Sequence, residues 1–154
     1  MKNWKVEVSY KPDVPDAVGM GILQDIVDLG INGVESVRTA AIYWIEGMLD
    51  EIAIHRIGNE LLADPITQQY LIDQIQTTEK EWTIEVQYKP GVTDAVGDST
   101  VKGINDLGIS EVSRVRTGKK YCLTGKLNTD NIENISKRLL MNDVIQSYSY
   151  LPPS

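Results

Sequence analysis

Trp4-Lys5-Val6-Glu7-Val8-Ser9-Tyr10-Lys11-Pro12-Asp13-Val14-Pro15-Asp16-Ala17-Val18-Gly19 decides the reading of this chain, because the chain writes it again. The second copy is Trp82-Thr83-Ile84-Glu85-Val86-Gln87-Tyr88-Lys89-Pro90-Gly91-Val92-Thr93-Asp94-Ala95-Val96-Gly97. Sliding Trp4 onto Trp82 keeps the halves in register without a gap out to Tyr70 and Tyr148. Self-similarity at a fixed spacing marks an internal duplication. One unit is built twice.

Within the first copy, Trp4, Val6, Val8 and Tyr10 alternate with Lys5, Glu7 and Ser9, the period of a strand with one buried face. Pro12 and Pro15 end it, since proline cannot donate to a sheet ladder. Asp16 is placed to cap a helix on which Val18, Ile22, Ile26 and Leu29 share a face, with Gly30 as its stop. Val34 to Thr39 and Ile42 to Leu49 read as an antiparallel hairpin. Asp50 caps a second helix carrying Ile54, Ile57, Leu61 and Leu62. Pro65 breaks it, and Ile66 to Ile72 reads as a last strand. The order is strand, helix, strand, strand, helix, strand, the ferredoxin-like βαββαβ plan.

The second copy repeats the plan. Val96, Thr100, Ile104 and Leu107 face inward on its first helix, which stops at Gly108. A hairpin turns at Gly118-Lys119, Asp130 caps the second helix, and Val144 to Tyr150 closes the unit. The expected organisation is a first unit over 1–73, a polar linker over 74–81 and a second unit over 82–154. The two α+β units are expected to pack as an intramolecular pseudo-dimer.

A chain of 154 residues with net charge −7 and pI near 4.7 argues against nucleic acid or an anionic membrane as partner. No apolar run reaches membrane-span length. The single cysteine, Cys122, cannot form an intrachain disulfide and fits a cytoplasmic setting. The acidity is uneven: 12 acidic and 5 basic residues precede Thr78, and 10 of each follow from there. The copies share a plan and differ in charge, so identical partners are not expected.

Catalytic chemistry is hard to find. His55, the one histidine, aligns with Glu133, which suits a solvated helix face better than an essential base. Cys122 aligns with Trp44 in a strand and reads as a packed thiol. Asp16 and Asp94 read as helix caps. Gly19 and Gly21 lack the spacing of a phosphate loop, and no Cys/His cluster suggests a metal. Trp4 and Trp82 read as packing residues. No catalytic, cofactor or metal residue is assigned. The positive charges are more informative: Arg114, Arg116, Lys119, Lys120 and Lys126 gather around the second predicted hairpin. With Arg38, Lys11 and Lys89 they are the candidate partner-docking residues, suited to an acidic surface or a phosphate.

Together, several stretches resemble the PurS family. These are Lys-Pro-x-Val-x-Asp-x-x-Gly (Lys11 to Gly19, Lys89 to Gly97), Leu-Gly at the first helix end (Leu29-Gly30, Leu107-Gly108) and Val115-Arg116-Thr117-Gly118-Lys119. They also include the closing Leu61-Leu62-Ala63-Asp64-Pro65-Ile66…Tyr70 and Leu139-Leu140-Met141-Asn142-Asp143-Val144…Tyr148. The resemblance covers almost the whole chain, once per half. It implies a βαββαβ small subunit of phosphoribosylformylglycinamidine synthase, without an active site of its own. Such a subunit bridges an ATP-dependent synthetase and a glutaminase and helps ammonia pass between them. Two such chains could pair as a homodimer matching the family's tetramer. The alternatives are a tandem ACT-like small-molecule sensor, a PurS-like protein with another partner, and a small enzyme working in the inter-copy cleft.

Overall fold

The computed structural model describes residues 2–73 and 80–153. In chain order the elements are β1 (Lys2–Tyr10), α1 (Ala17–Asp28), β2 (Val34–Gly47), α2 (Glu51–Ile57) and β3 (Gln68–Ile72). The second copy gives β4 (Trp82–Tyr88), α3 (Ala95–Asp106), β5 (Val112–Gly125), α4 (Thr129–Ile135) and β6 (Gln146–Leu151). Helices α2 and α4 each run on into a π-helical turn, Gly58–Leu62 and Ser136–Leu140. This is a duplicated ferredoxin-like α+β fold.

The hairpins expected to turn at Ala40-Ala41 and Gly118-Lys119 do not form. β2 and β5 are each one continuous strand of 14 residues, and Gly118-Lys119 lies inside β5. A backbone that does not turn back must find its ladder partners elsewhere, and the composition of the compact bodies shows where.

The first body comprises Met1–Val14, Ala40–Ile75 and Thr93–Gly118. It holds β1, the end of β2, α2 and β3 from the first repeat, with α3 and the start of β5 from the second. Its sheet order is β3-β1-β2-β5. β1 pairs antiparallel with β2, Trp4 opposite Ile45 and Val8 opposite Ala41, and antiparallel with β3, Val8 opposite Tyr70. Trp4, Val6, Ile45, Ile54, Ile57 and Ile104 form its core. The βαββαβ set is complete, with the first helix and second strand supplied by the other repeat.

The second body, Pro15–Thr39, Gln76–Val92 and Lys119–Ser154, mirrors this composition. It holds α1 and the start of β2 with β4, the end of β5, α4 and β6, in the order β2-β5-β4-β6. β4 and β6 are antiparallel, Val86 opposite Tyr148. Its core gathers Ile26, Trp82, Ile84, Leu123, Ile132 and Ile135. Trp4 and Trp82 are therefore buried packing residues, as expected.

Helix ends follow the sequence in most places. Asp16 and Asp94 cap α1 and α3, accepting from Gly19 N and Gly97 N at 2.8 Å. Gly30 and Gly108 sit at φ +86° and +87°, a conformation open to residues without a Cβ. Beyond them Ile31 N and Ile109 N reach back to Ile26 O and Ile104 O at 3.3 Å, closing Schellman motifs.

Three local expectations are corrected. Val18 and Val96 point outward, 55% and 54% exposed. A Cβ on Gly19 or Gly97 would lie 2.3 Å from Val37 O or Val115 O, so the glycine face is the one pressed to the strand. The α4 cap is Asn128, not Asp130, through Asn131 N at 2.8 Å. The last strands begin at Gln68 and Gln146, later than expected. Ile66 and Val144 are held in turns by Asp64 Oδ1 and Asn142 Oδ1, which accept their backbone N–H groups. Of the expected linker, 74–79 lies outside the described residues, while Glu81 is buried.

Candidate interaction surfaces

Strand alternation sends Trp4, Val6 and Val8 into the first core and Lys5, Glu7 and Ser9 to the opposite sheet face. On that face Lys5 lies opposite Trp44 of β2, and Glu7 opposite Ile42. The Lys5 ammonium is 5.9 Å from the Trp44 ring centroid, and the Arg116 guanidinium of β5 is 5.6 Å from it. Two cations, one from β1 and one from β5, thus share one half-buried indole on β2, an arrangement worth about 0.5–1 kcal/mol per cation at exposed sites. Lys5 also lies 3.9 Å from the Glu7 carboxylate. Arg114, two residues before Arg116 on the same face, is exposed, as is Arg116. Among the described residues no acidic side chain pairs with either arginine.

The corresponding face of the second body is closed. Arg38 donates from Nε to Glu81 Oε2 at 2.9 Å and from Nη2 to Oε1 at 2.7 Å, a two-pronged pair. Glu81 is only 4% exposed, and Thr83, Lys120 and Cys122 are buried with it. Burial pushes the Cys122 thiol above its ordinary value, outweighing the opposing pull of Arg38 and Lys120. A thiol held protonated is a poor nucleophile, in keeping with the packed-thiol reading.

The eight candidate docking residues therefore separate. Arg114 and Arg116 stand together with Trp44 on the first body. Half-buried Arg38 and buried Lys120 belong to the polar group around Glu81 in the second. Lys119 and Lys126 are exposed on the second body. Lys11 and Lys89 are internal clamps: their ammonium groups donate to Pro65 O at 2.7 Å and Asp143 O at 2.6 Å. Each ties the end of β1 or β4 to the turn before β3 or β6. Sequence reasoning missed Trp44 and Lys5 as members of the surface. Their signal was the alternation itself, which puts Lys5 and Trp44 on the outward face of their strands.

His55 is exposed on α2, as expected, and its Nδ1 is hydrogen-bonded to the Tyr70 hydroxyl at 2.9 Å. It borders an open groove of about 450 Å³ with Glu51, Ile52, Arg56, Asn59 and Tyr70. Arg56 is already engaged, donating to Glu60 at 2.8 Å and to Leu107 O at 3.1 Å. Among the described residues no group of three or more His, Cys, Asp or Glu could hold a metal, and no helix is long and apolar enough to cross a membrane.

Asp16 and Asp94 do more than cap. Asp94 Oδ2 also accepts from Thr117 N at 2.6 Å and the carboxylate takes the Thr117 hydroxyl at 2.9 Å; Asp16 does the same for Thr39. Each carboxylate pins a helix start to a strand within one body and has no role left over for acid–base chemistry.

Comparison with known proteins gives two findings. The family model described as PurS, phosphoribosylformylglycinamidine (FGAM) synthase, matches twice, over residues 3–76 and 81–152. Among solved structures the chain is similar to PurS of Methanocaldococcus jannaschii, described as one of the subunits of formylglycinamide ribonucleotide amidotransferase in the purine biosynthetic pathway. The identity is 28%, over 46% of this chain and 92% of that one, with a TM-score of 0.42. No curated protein sequence matches the chain.

Proposed function

Because the chain belongs to the PurS family, we propose that it is the small, non-catalytic assembly subunit of a phosphoribosylformylglycinamidine synthase in purine biosynthesis. In this role it bridges the ATP-dependent synthetase and glutaminase subunits in the cytoplasm and supports transfer of ammonia between them. The observation that carries the reading is the double family match, which accounts for nearly the whole chain. Fusion of two copies also makes their association intramolecular, so a pseudo-dimer no longer depends on protein concentration. The strands β3 and β6 lie at sheet edges, where two chains could pair.

The test is co-purification of the chain with the synthetase and glutaminase subunits from its own source. It is paired with an assay of glutamine-dependent FGAM formation with and without the chain. A stable complex whose glutamine-dependent activity needs this chain supports the reading. Full activity in its absence, with no complex, overturns it.

A further inference from the structure

The two bodies carry the same arginine at one register position, and only one of them pairs it with a buried carboxylate. The repeat register places Lys5 on Thr83, Trp44 on Cys122, Arg116 on Arg38 and Asn3 on Glu81. In the second body the arginine of this set is neutralised by buried Glu81, with both oxygens engaged. In the first body Asn3 stands where that acid would be, and Arg116 remains exposed over Trp44 with Arg114 beside it.

We propose that the Lys5–Trp44–Arg116 row, together with Arg114, anchors a protein interface whose partner supplies a carboxylate to Arg116. The inference rests on the assembly reading and deepens it by naming the anchor. Three facts favour a protein partner. Tryptophan and arginine are the residue types that most often carry interface energy. The row lies across three strands of a sheet rather than in a cavity, which suits an extended contact more than a small ligand. And in a chain of net charge −7 Arg114 and Arg116 stand exposed without a paired acid among the described residues, although Glu7 and Glu46 share the face, so the complement of the two arginines is acidic. The partner's Asp or Glu would take Arg116 as Glu81 takes Arg38, with an apolar side chain covering the indole. Because the second body closes its own copy, each full chain offers one such site.

The test measures affinity of the full chain for the purified synthetase and glutaminase subunits by titration calorimetry. Arg116→Glu should weaken one of the two complexes about tenfold or more, the scale of a lost interface anchor. Asn3→Glu is the sharper variant: it removes no cation and places an acid at the register position of Glu81, so it too should weaken that complex severalfold. Lys137→Glu, at an exposed position elsewhere, should change affinity less than about twofold. Urea unfolding of each variant separates lost docking from lost folding. If wild type binds and both Arg116→Glu and Asn3→Glu bind equally well, the anchor is wrong while the assembly reading stands. If wild type binds neither subunit, both fall. If Arg116→Glu abolishes only self-association seen in sedimentation, the occupant is a second copy and the partner assignment is overturned.

Discussion

Replacing Asp94 with alanine should be the most damaging change of a single polar side chain in the first body. Its carboxylate caps α3 at Gly97 N and holds Thr117 of β5 through both backbone N–H and hydroxyl. Loss of an N-cap costs about 1 kcal/mol. Leaving the part-buried Thr117 N–H without its acceptor costs about 1–3 kcal/mol more. The sum, about 2–4 kcal/mol, is a large fraction of the 5–15 kcal/mol that holds a typical domain together. Asp94→Asn keeps one acceptor oxygen and should fall roughly midway. Asp16→Ala should match Asp94→Ala, because Asp16 makes the same bonds to Gly19 and Thr39. Urea denaturation reads the effect as a lower midpoint at unchanged slope. A loss below about 0.5 kcal/mol in both alanine variants would refute the view that these carboxylates join helix to strand.

Other expectations follow from the same geometry. Gly97→Ala should destabilise by several kcal/mol, since its Cβ would lie 2.3 Å from Val115 O, whereas Gly21→Ala meets nothing within 4 Å and should stabilise α1 by about 0.5–1 kcal/mol; thermal melts of the pair check the contrast. Burial raises Tyr43, Tyr121 and Cys122 in the folded chain above their ordinary 10.0, 10.0 and 9.0. The folded state then holds more protons than the unfolded one at high pH, so stability is full below about pH 9 and falls as pH rises further. Urea midpoints from pH 7 to 11 test the sign. For the same reason Cys122 should react slowly with an alkylating reagent at pH 8 and quickly in denaturant; equal rates would contradict its burial.

Much of the fold was legible because its signals are local. The alternation in β1 and β4, the caps at Asp16, Asp94 and Asp50, and the glycine stops at Gly30 and Gly108 all depend on neighbours a few residues away. The hairpins failed because a run of strand-forming residues looks the same whether it folds back or continues. The ladder bonds are equivalent, and only a distant partner decides between them. Ala40-Ala41 was the available clue, since alanines do not favour the positive φ of a tight turn. Asn128 was equally recoverable, being the register partner of Asp50. The docking set was harder to read. A charge count does not distinguish Arg116, open over Trp44, from Arg38, closed on Glu81, because exposure and pairing are properties of the assembled sheet.

The unbroken course of β2 and β5 bears on synthesis. The first body needs residues through Gly118, and the second begins at Pro15 but extends to Ser154. Neither can finish while the first repeat alone has left the ribosome. The nascent first repeat must wait with α1 and half of β2 unpartnered, and its apolar strand faces are then exposed to solvent or chaperone. Contacts between segments this far apart in sequence also slow folding. Tandem fusion, which keeps both repeats on one chain, shortens that wait to the time needed to translate the second copy.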